Sequence, residues 1–161
     1  MRAALTRDHD LAVAAVDRAM MIDANSAAVL GFDALTRCLC GAYDMAIKHA
    51  EKAIKLSPLE PFIYMAEFAL ALACLRTGRA EDAVVHAHKA IEGNRNFAFS
   101  YCVVALGCAH VGRREEAEQA IRQLLRIAPP FRIGALRKIL VSDAALLQRD
   151  LVLLRTVGLP E

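Results

Sequence analysis

Three glycines, Gly41, Gly78 and Gly112, punctuate the chain 37 and then 34 residues apart, and an alanine follows each by five: Ala46, Ala83 and Ala117. Ala34, Ala71 and Ala105 lie seven residues before the glycines, and Ala53, Ala90 and Leu124 lie twelve after. Self-similarity near 34 residues marks a solenoid of helical pairs, because one pair cannot bury its own apolar face and must stack on copies of itself. The predicted fold class is all-α, an α-solenoid of antiparallel helix pairs. Alanine, at 31 of 161 residues, favours helix and lets helices approach closely. Few β-branched runs and no tryptophan leave little pattern for a sheet.

With each glycine as the turn inside a unit, the repeats span 27–63, 64–97 and 98–131. Ser26 caps a helix to Cys40, and a second helix runs from Tyr43 to Leu56, stopped by Ser57-Pro58. Leu59, Glu60 and Pro61 account for the three extra residues of the first period, as an extended Pro-x-x-Pro link. The next helices fall near 62–77, 80–93, 97–111 and 114–127, the last ending at Pro129-Pro130. The register projected backwards puts Ala12 under Ala46, Ala19 under Ala53, and Arg7 under the turn glycine. Residues 8–26 therefore read as a half repeat whose helix spans 9–22, and the chain is expected to begin mid-repeat. Residues 132–161 read as a C-terminal cap: a short helix over 131–141, then one capped by Ser142-Asp143 and stopped by Gly158 and Pro160. The leucines of that last helix cover more than one side, so apolar surface is expected to remain on it.

Mean hydropathy is +0.33, high for a water-soluble domain, and membrane insertion is the first thing to test. The longest uncharged stretch, Asn96 to Gly112, falls short of ~20 apolar residues and sits in repeat register, and Glu67 interrupts the other candidate. Both read as buried helices, with no membrane span. The N-terminus lacks the apolar core of a signal peptide. Cys38, Cys40, Cys74, Cys102 and Cys108 form an odd set on the first helices of units, which fits reduced, buried thiols and a cytoplasmic protein. A net charge of +2 with interspersed signs, and no basic stripe with interleaved aromatics, argues against nucleic acid.

The outward positions of the first helices, read across the units, are Ala28, Met65, Phe99; Gly31, Phe68, Cys102; Leu35, Leu72, Leu106; and Cys38, Leu75, Ala109. All are uncharged. An apolar strip of this kind is expected to be covered. One reading is a groove for an amphipathic helix or a second copy of the chain; the other is burial by the chain's own last helix or by tight superhelical curvature. The candidate partner-binding residues are Leu35, Met65, Phe68, Leu72, Leu75, Phe99, Cys102 and Leu106.

Asp33 and Arg37, four apart on one helix, can pair along its face, and Glu67 on the neighbouring first helix could share the arginine; the reading is a partly buried ion pair fixing how two units stack. Metal binding fails on spacing: Cys38-x-Cys40 and His86-x-His88 point about 200° apart on a helix, and His9, His49 and His110 belong to different units. No nucleophile–base arrangement or phosphate-cradling loop is recognisable. No catalytic residue, metal or cofactor is assigned, and the chain is not expected to be an enzyme.

Small residues where paired helices touch, the turn glycines, and Pro58 and Pro129 closing units resemble tetratricopeptide repeats (TPR) over residues 8–131, with Arg95 where a third closing proline would stand. The resemblance implies a TPR superhelix whose first helices line a concave, ligand-binding surface. "IKLSPLEP" (54–61), "AIEGNRNFAFSYCVVA" (90–105), "GRREEA" (112–117) and "GLPE" (158–161) are similar to the C-terminal TPR region behind bacterial class III adenylate cyclase domains and some winged-helix regulators. That resemblance implies the regulatory tail of a signalling protein, without cyclase activity, because the cyclase's metal-binding aspartates belong to an upstream domain. The functional expectation is a scaffold binding a protein or peptide, such as an amphipathic helix, through its concave face. The alternative is a homodimerisation module.

Overall fold

The computed structural model describes the backbone of residues 2–139 and 144–161, and the side chains of residues 10–136 and 145–161. Among the described residues all regular structure is helical: α1 (Arg2–Ile22), α2 (Ala27–Leu39), α3 (Tyr43–Leu56), α4 (Ile63–Arg76), α5 (Ala80–Gly93), α6 (Ala98–His110), α7 (Arg114–Ile127), α8 (Ile133–Ile139) and α9 (Ala144–Thr156). Consecutive helices from α2 to α7 pack on one another, and α2, α4 and α6, the first helices of the three units, also pack in series. That is an α-solenoid of helix pairs.

Each turn glycine is left-handed, with φ of 84° at Gly41, 80° at Gly78 and 79° at Gly112, a conformation other residues adopt only with strain. The hydrogen bonds are those of a Schellman cap. Ala42 N–H donates to Arg37 C=O at 2.9 Å, Arg79 N–H to Cys74 C=O at 2.8 Å and Arg113 N–H to Cys108 C=O at 2.8 Å. One local motif, used three times, reverses the chain at the same point of each unit. At the other edge, Ser26 Oγ accepts from Val29 N–H at 3.3 Å and starts α2.

The alanine register is the packing seam. Ala34, Ala46, Ala50, Ala53, Ala71, Ala83, Ala87, Ala90, Ala105 and Ala117 are all fully buried, since only a methyl fits between helices this close. Glycine tightens two further contacts: a Cβ on Gly93 would lie 2.9 Å from Tyr64 Cβ, and one on Gly107 2.6 Å from Val84 Cγ2. Gly31 of α2 faces Ala66 of α4, where a Cβ would meet an ordinary contact at 3.5 Å, so these two first helices pack side by side.

The two ends depart from the sequence reading in detail. α1 continues through Arg7, where the register places a turn, because no glycine stands there and its alanine-rich run has no reason to break. At the C-terminus, α8 begins at Ile133 rather than Phe131, and Ile133 N–H donates to Pro160 C=O at 3.0 Å, tying the chain end to α8. The Ser142-Asp143 cap lies outside the described residues. Ile133, Leu136, Leu151, Leu154, Val157 and Leu159 are buried in one core with the repeats.

Candidate protein-interaction surface

Five of the eight residues read as partner contacts are core. Phe68, Leu72, Leu75, Cys102 and Leu106 are all buried and belong to the same hydrophobic cluster as Leu151 and Leu154 of α9. The expectation that they face an open groove is therefore corrected. The first helices pack on one another in series, and the chain folds its own C-terminal segment into the same core. Leu35, Met65 and Phe99 remain half-exposed. A charge placed at Leu72 would enter the interior and act on folding before it acted on any partner.

The three surviving residues border a feature that the strip did not include, a row of aromatic rings along the edge where units join. Phe32 and Phe62 lie 6.0 Å apart, Phe62 and Tyr64 6.4 Å, Tyr64 and Phe97 5.5 Å, Phe97 and Phe99 5.8 Å, and Phe99 and Phe131 5.4 Å. Phe68 closes onto Phe97 from inside, edge to face at 4.9 Å. Leu35 follows Phe32 by three residues on α2, and Met65 follows Phe62, whose carbonyl it bonds at 2.9 Å. The signal for this row was in the sequence: Phe62, Phe97 and Phe131 each stand just before a first helix, 35 and 34 residues apart.

The first junction makes the row protrude. Its three extra residues, between Pro58 and Ile63, leave Leu59 93 % exposed and Phe62 50 % exposed, with Phe32 beside it at 42 %. Leu56, Met21 and Ile22, at the ends of α3 and α1 on the same edge, are exposed as well. Phe97 and Phe131 are by contrast only half-exposed. Exposed apolar residues thus concentrate on the N-terminal half of the junction edge, with Lys55 and Glu60 next to them in sequence.

Charged residues inside the stack are paired. Asp33, fully buried on α2, accepts from Arg37 Nε at 3.2 Å and meets His49 Nδ1 of α3, and Arg37 reaches Asp17 of α1. The Asp33–Arg37 pair thus joins three helices. Glu67 does not share the arginine. It takes His86 Nδ1 of α5 at 2.6 Å instead. His49 and His86 each follow a turn glycine by eight residues, a coincidence of register that sequence reasoning passed over.

A second ionic cluster holds α9 against the stack. Asp150 of α9 pairs with Arg76 at the end of α4, and both are largely buried. Arg149 donates to His110 Nδ1 at 3.0 Å, which leaves the Nε2 side of the ring 3.9 Å from Asp150. Burial first, and Arg149 next, hold the His110 pKa below its ordinary value. These side chains line a cavity of about 530 Å³ with Arg79, Glu81 and Asp82, in which Arg79 is already paired with Asp82 at 2.8 Å. All five cysteines are free thiols, and burial pushes Cys38 up to about 12. Among the described residues no three His, Cys, Asp or Glu side chains gather as a metal site, and no helix is long and apolar enough to cross a membrane.

No protein-family model matches this sequence, and no curated protein matches it. Solved structures do. Over 97 % of this chain it superposes on two structures of MamA, both 22 % identical, with TM-scores of 0.66 and 0.65, covering 90 % and 80 % of those chains. It is similar also to YrrB, described as a TPR protein with an unusual peptide-binding site: 16 % identity, TM-score 0.59, 96 % of this chain and 80 % of that one. Identities this low speak to architecture alone. Together with the glycine turns and the alanine seam, they show that the chain has a TPR fold, an α-solenoid of antiparallel helix pairs.

Proposed function

We propose that this protein is a non-catalytic protein–protein interaction module, and that its binding surface is the aromatic junction edge rather than the interior of the superhelix. The observation that carries the reading is the exposed run of Phe32, Phe62 and Leu59, continued by Leu35, Met65 and Phe99. Exposed apolar patches rimmed by polar residues mark interaction sites, and aromatic side chains dominate the energetics of such sites. An amphipathic α-helix is the partner that fits. The ring-to-ring steps of 5.4 to 6.4 Å match the rise of about 6 Å between residues i and i+4 of a helix, so alternate ridges can seat between rings. YrrB, of the same fold, is described as having a peptide-binding site, which supports peptide capture as the class of activity. The similarity of residues 54–61, 90–105, 112–117 and 158–161 to TPR regions behind class III cyclase and winged-helix domains supports a regulatory role beside a signalling domain, and five free thiols fit a reducing cytoplasm.

The test is fluorescence anisotropy with a labelled synthetic peptide, helical, with leucines at i, i+4, i+7 and i+11 and a polar opposite face, against a scrambled peptide of equal composition. The expected result is binding of the amphipathic peptide alone, lost in Phe62→Asp with the melting temperature unchanged. Equal binding of both peptides, no binding of either, or binding indifferent to Phe62→Asp would each overturn the proposal.

A further inference from the structure

The cavity of about 530 Å³ between α9 and the α4–α5 turn has the size of a small-molecule site. Four segments converge on it: the end of α4, the first turn of α5, the end of α6, and one face of α9, where Leu146, Arg149 and Asp150 stand at i, i+3 and i+4. Leu75, Val111 and Leu146 supply its apolar lining. Its charges divide into spent and unspent. Arg76 holds Asp150 and Arg79 holds Asp82, so each of these pairs cancels itself. Arg149 and Glu81 are left over, and neither forms an ion pair with another described residue. Arg149 gives one N–H to His110 Nδ1 at 3.0 Å, which occupies a donor without neutralising the charge, since a nitrogen that accepts carries no proton. Arg76 also has donors to spare. Its side chain is 7 % exposed and spends Nη1 on Asp150, while Nε and Nη2 bond no described residue and stay reachable from the cavity that Arg76 lines.

We propose that this cavity binds a small zwitterion with an apolar body, an α-amino acid with an aliphatic side chain, its carboxylate on Arg149 and the free donors of Arg76 and its ammonium on Glu81. The charge balance selects this class. With His110 neutral, Arg76, Arg79 and Arg149 offset Glu81, Asp82 and Asp150, so the lining as a whole attracts neither an anion nor a cation. A plain carboxylate would leave Glu81 without a partner, and a plain amine would leave Arg149 without one; a molecule carrying both groups satisfies the two together. Guanidinium groups suit the carboxylate end because their fixed N–H fork matches its two oxygens. The aliphatic side chain falls to Leu75, Val111 and Leu146. A ligand held in this way bridges α5 and α9. The site lies at the opposite end of α4 from Phe62 and Met65, so it does not depend on the function proposed above.

Isothermal titration calorimetry on the full chain tests it with L-leucine, with isocaproate, which lacks the ammonium group, and with isoamylamine, which lacks the carboxylate. Leucine should bind, and each of the other two should bind about tenfold more weakly or worse. Glu81 and Arg149 are both exposed, so Glu81→Gln and Arg149→Gln should keep the unliganded melting temperature of wild type, which serves as the folding control. Glu81→Gln should reduce leucine to the affinity of isocaproate, and Arg149→Gln should reduce it to that of isoamylamine. Binding of none of the three compounds, isocaproate binding as well as leucine, or leucine binding indifferent to either substitution would overturn the proposal.

Discussion

Gly107 and Gly31 both sit mid-helix on first helices of units, and they differ in what stands behind them. A methyl at Gly107 would lie 2.6 Å from Val84 Cγ2 and 3.0 Å from the Ala80 carbonyl oxygen, and the latter is backbone that cannot turn aside. A methyl at Gly31 would meet only ordinary contacts at 3.5 Å. Gly107→Ala should therefore cost about 1 to 3 kcal/mol by overpacking α5 against α6. Gly31→Ala should be neutral or stabilising by up to about 1 kcal/mol, because alanine is the better helix residue. Urea unfolding of the two variants checks the contrast, and equal effects would show that the α5–α6 contact yields. His110 makes a pH prediction. Its pKa is lowered in the folded protein by burial and then by Arg149, so the unfolded chain takes up the proton first as pH falls below about 6.5. The neutral ring's contribution to stability is present above that pH and is lost as acidification proceeds below it. Unfolding free energies from pH 7.5 to 5 should fall more steeply for wild type than for His110→Gln; parallel curves would remove His110 from the account.

The repeats are alike as elements; α9 is the one that changes what the solenoid can do. Its leucines join the core that contains Leu72 and Leu106, and its Asp150 is bound by Arg76, 74 residues earlier in the chain. Both partners are nearly inaccessible, so either one left alone would be a buried, unpaired charge. Arg76→Met should cost about 3 kcal/mol, whereas Arg76→Met/Asp150→Leu should recover most of that loss, because an apolar pair avoids the desolvation of both ions. Chemical denaturation of the two variants separates the cases; a single variant as stable as wild type would mean that α9 is held by its leucines alone. The first junction shows the same dependence on context. Its three-residue insertion is legible in the sequence as a lengthened period, yet its effect, to push Leu59 and Phe62 outward while Phe97 and Phe131 stay half-covered, depends on how α3 and α4 sit together.

Across the whole molecule, the sequence carried whatever is repeated and local. The helix pairs, the glycine turns with their left-handed backbone and the alanine seam follow from i, i+4 spacing and from conformational limits that act within a few residues. The Asp33–Arg37 pair was legible for the same reason, being one helical turn long, while the histidine partners of Asp33 and Glu67 arrive from the next helix and were not. The candidate site divides along this line. Leu35, Met65 and Phe99 stayed accessible, but Phe68, Leu72, Leu75, Cys102 and Leu106 entered the core. An outward position on one helix is open or buried according to how the first helices pack on one another and to a terminal helix many residues away, and no spacing within the helix records either. Periodicity by itself determined that this chain is a solenoid and where each helix turns; only the tertiary structure decided which apolar face remains outside, because covering a face takes a second, distant segment.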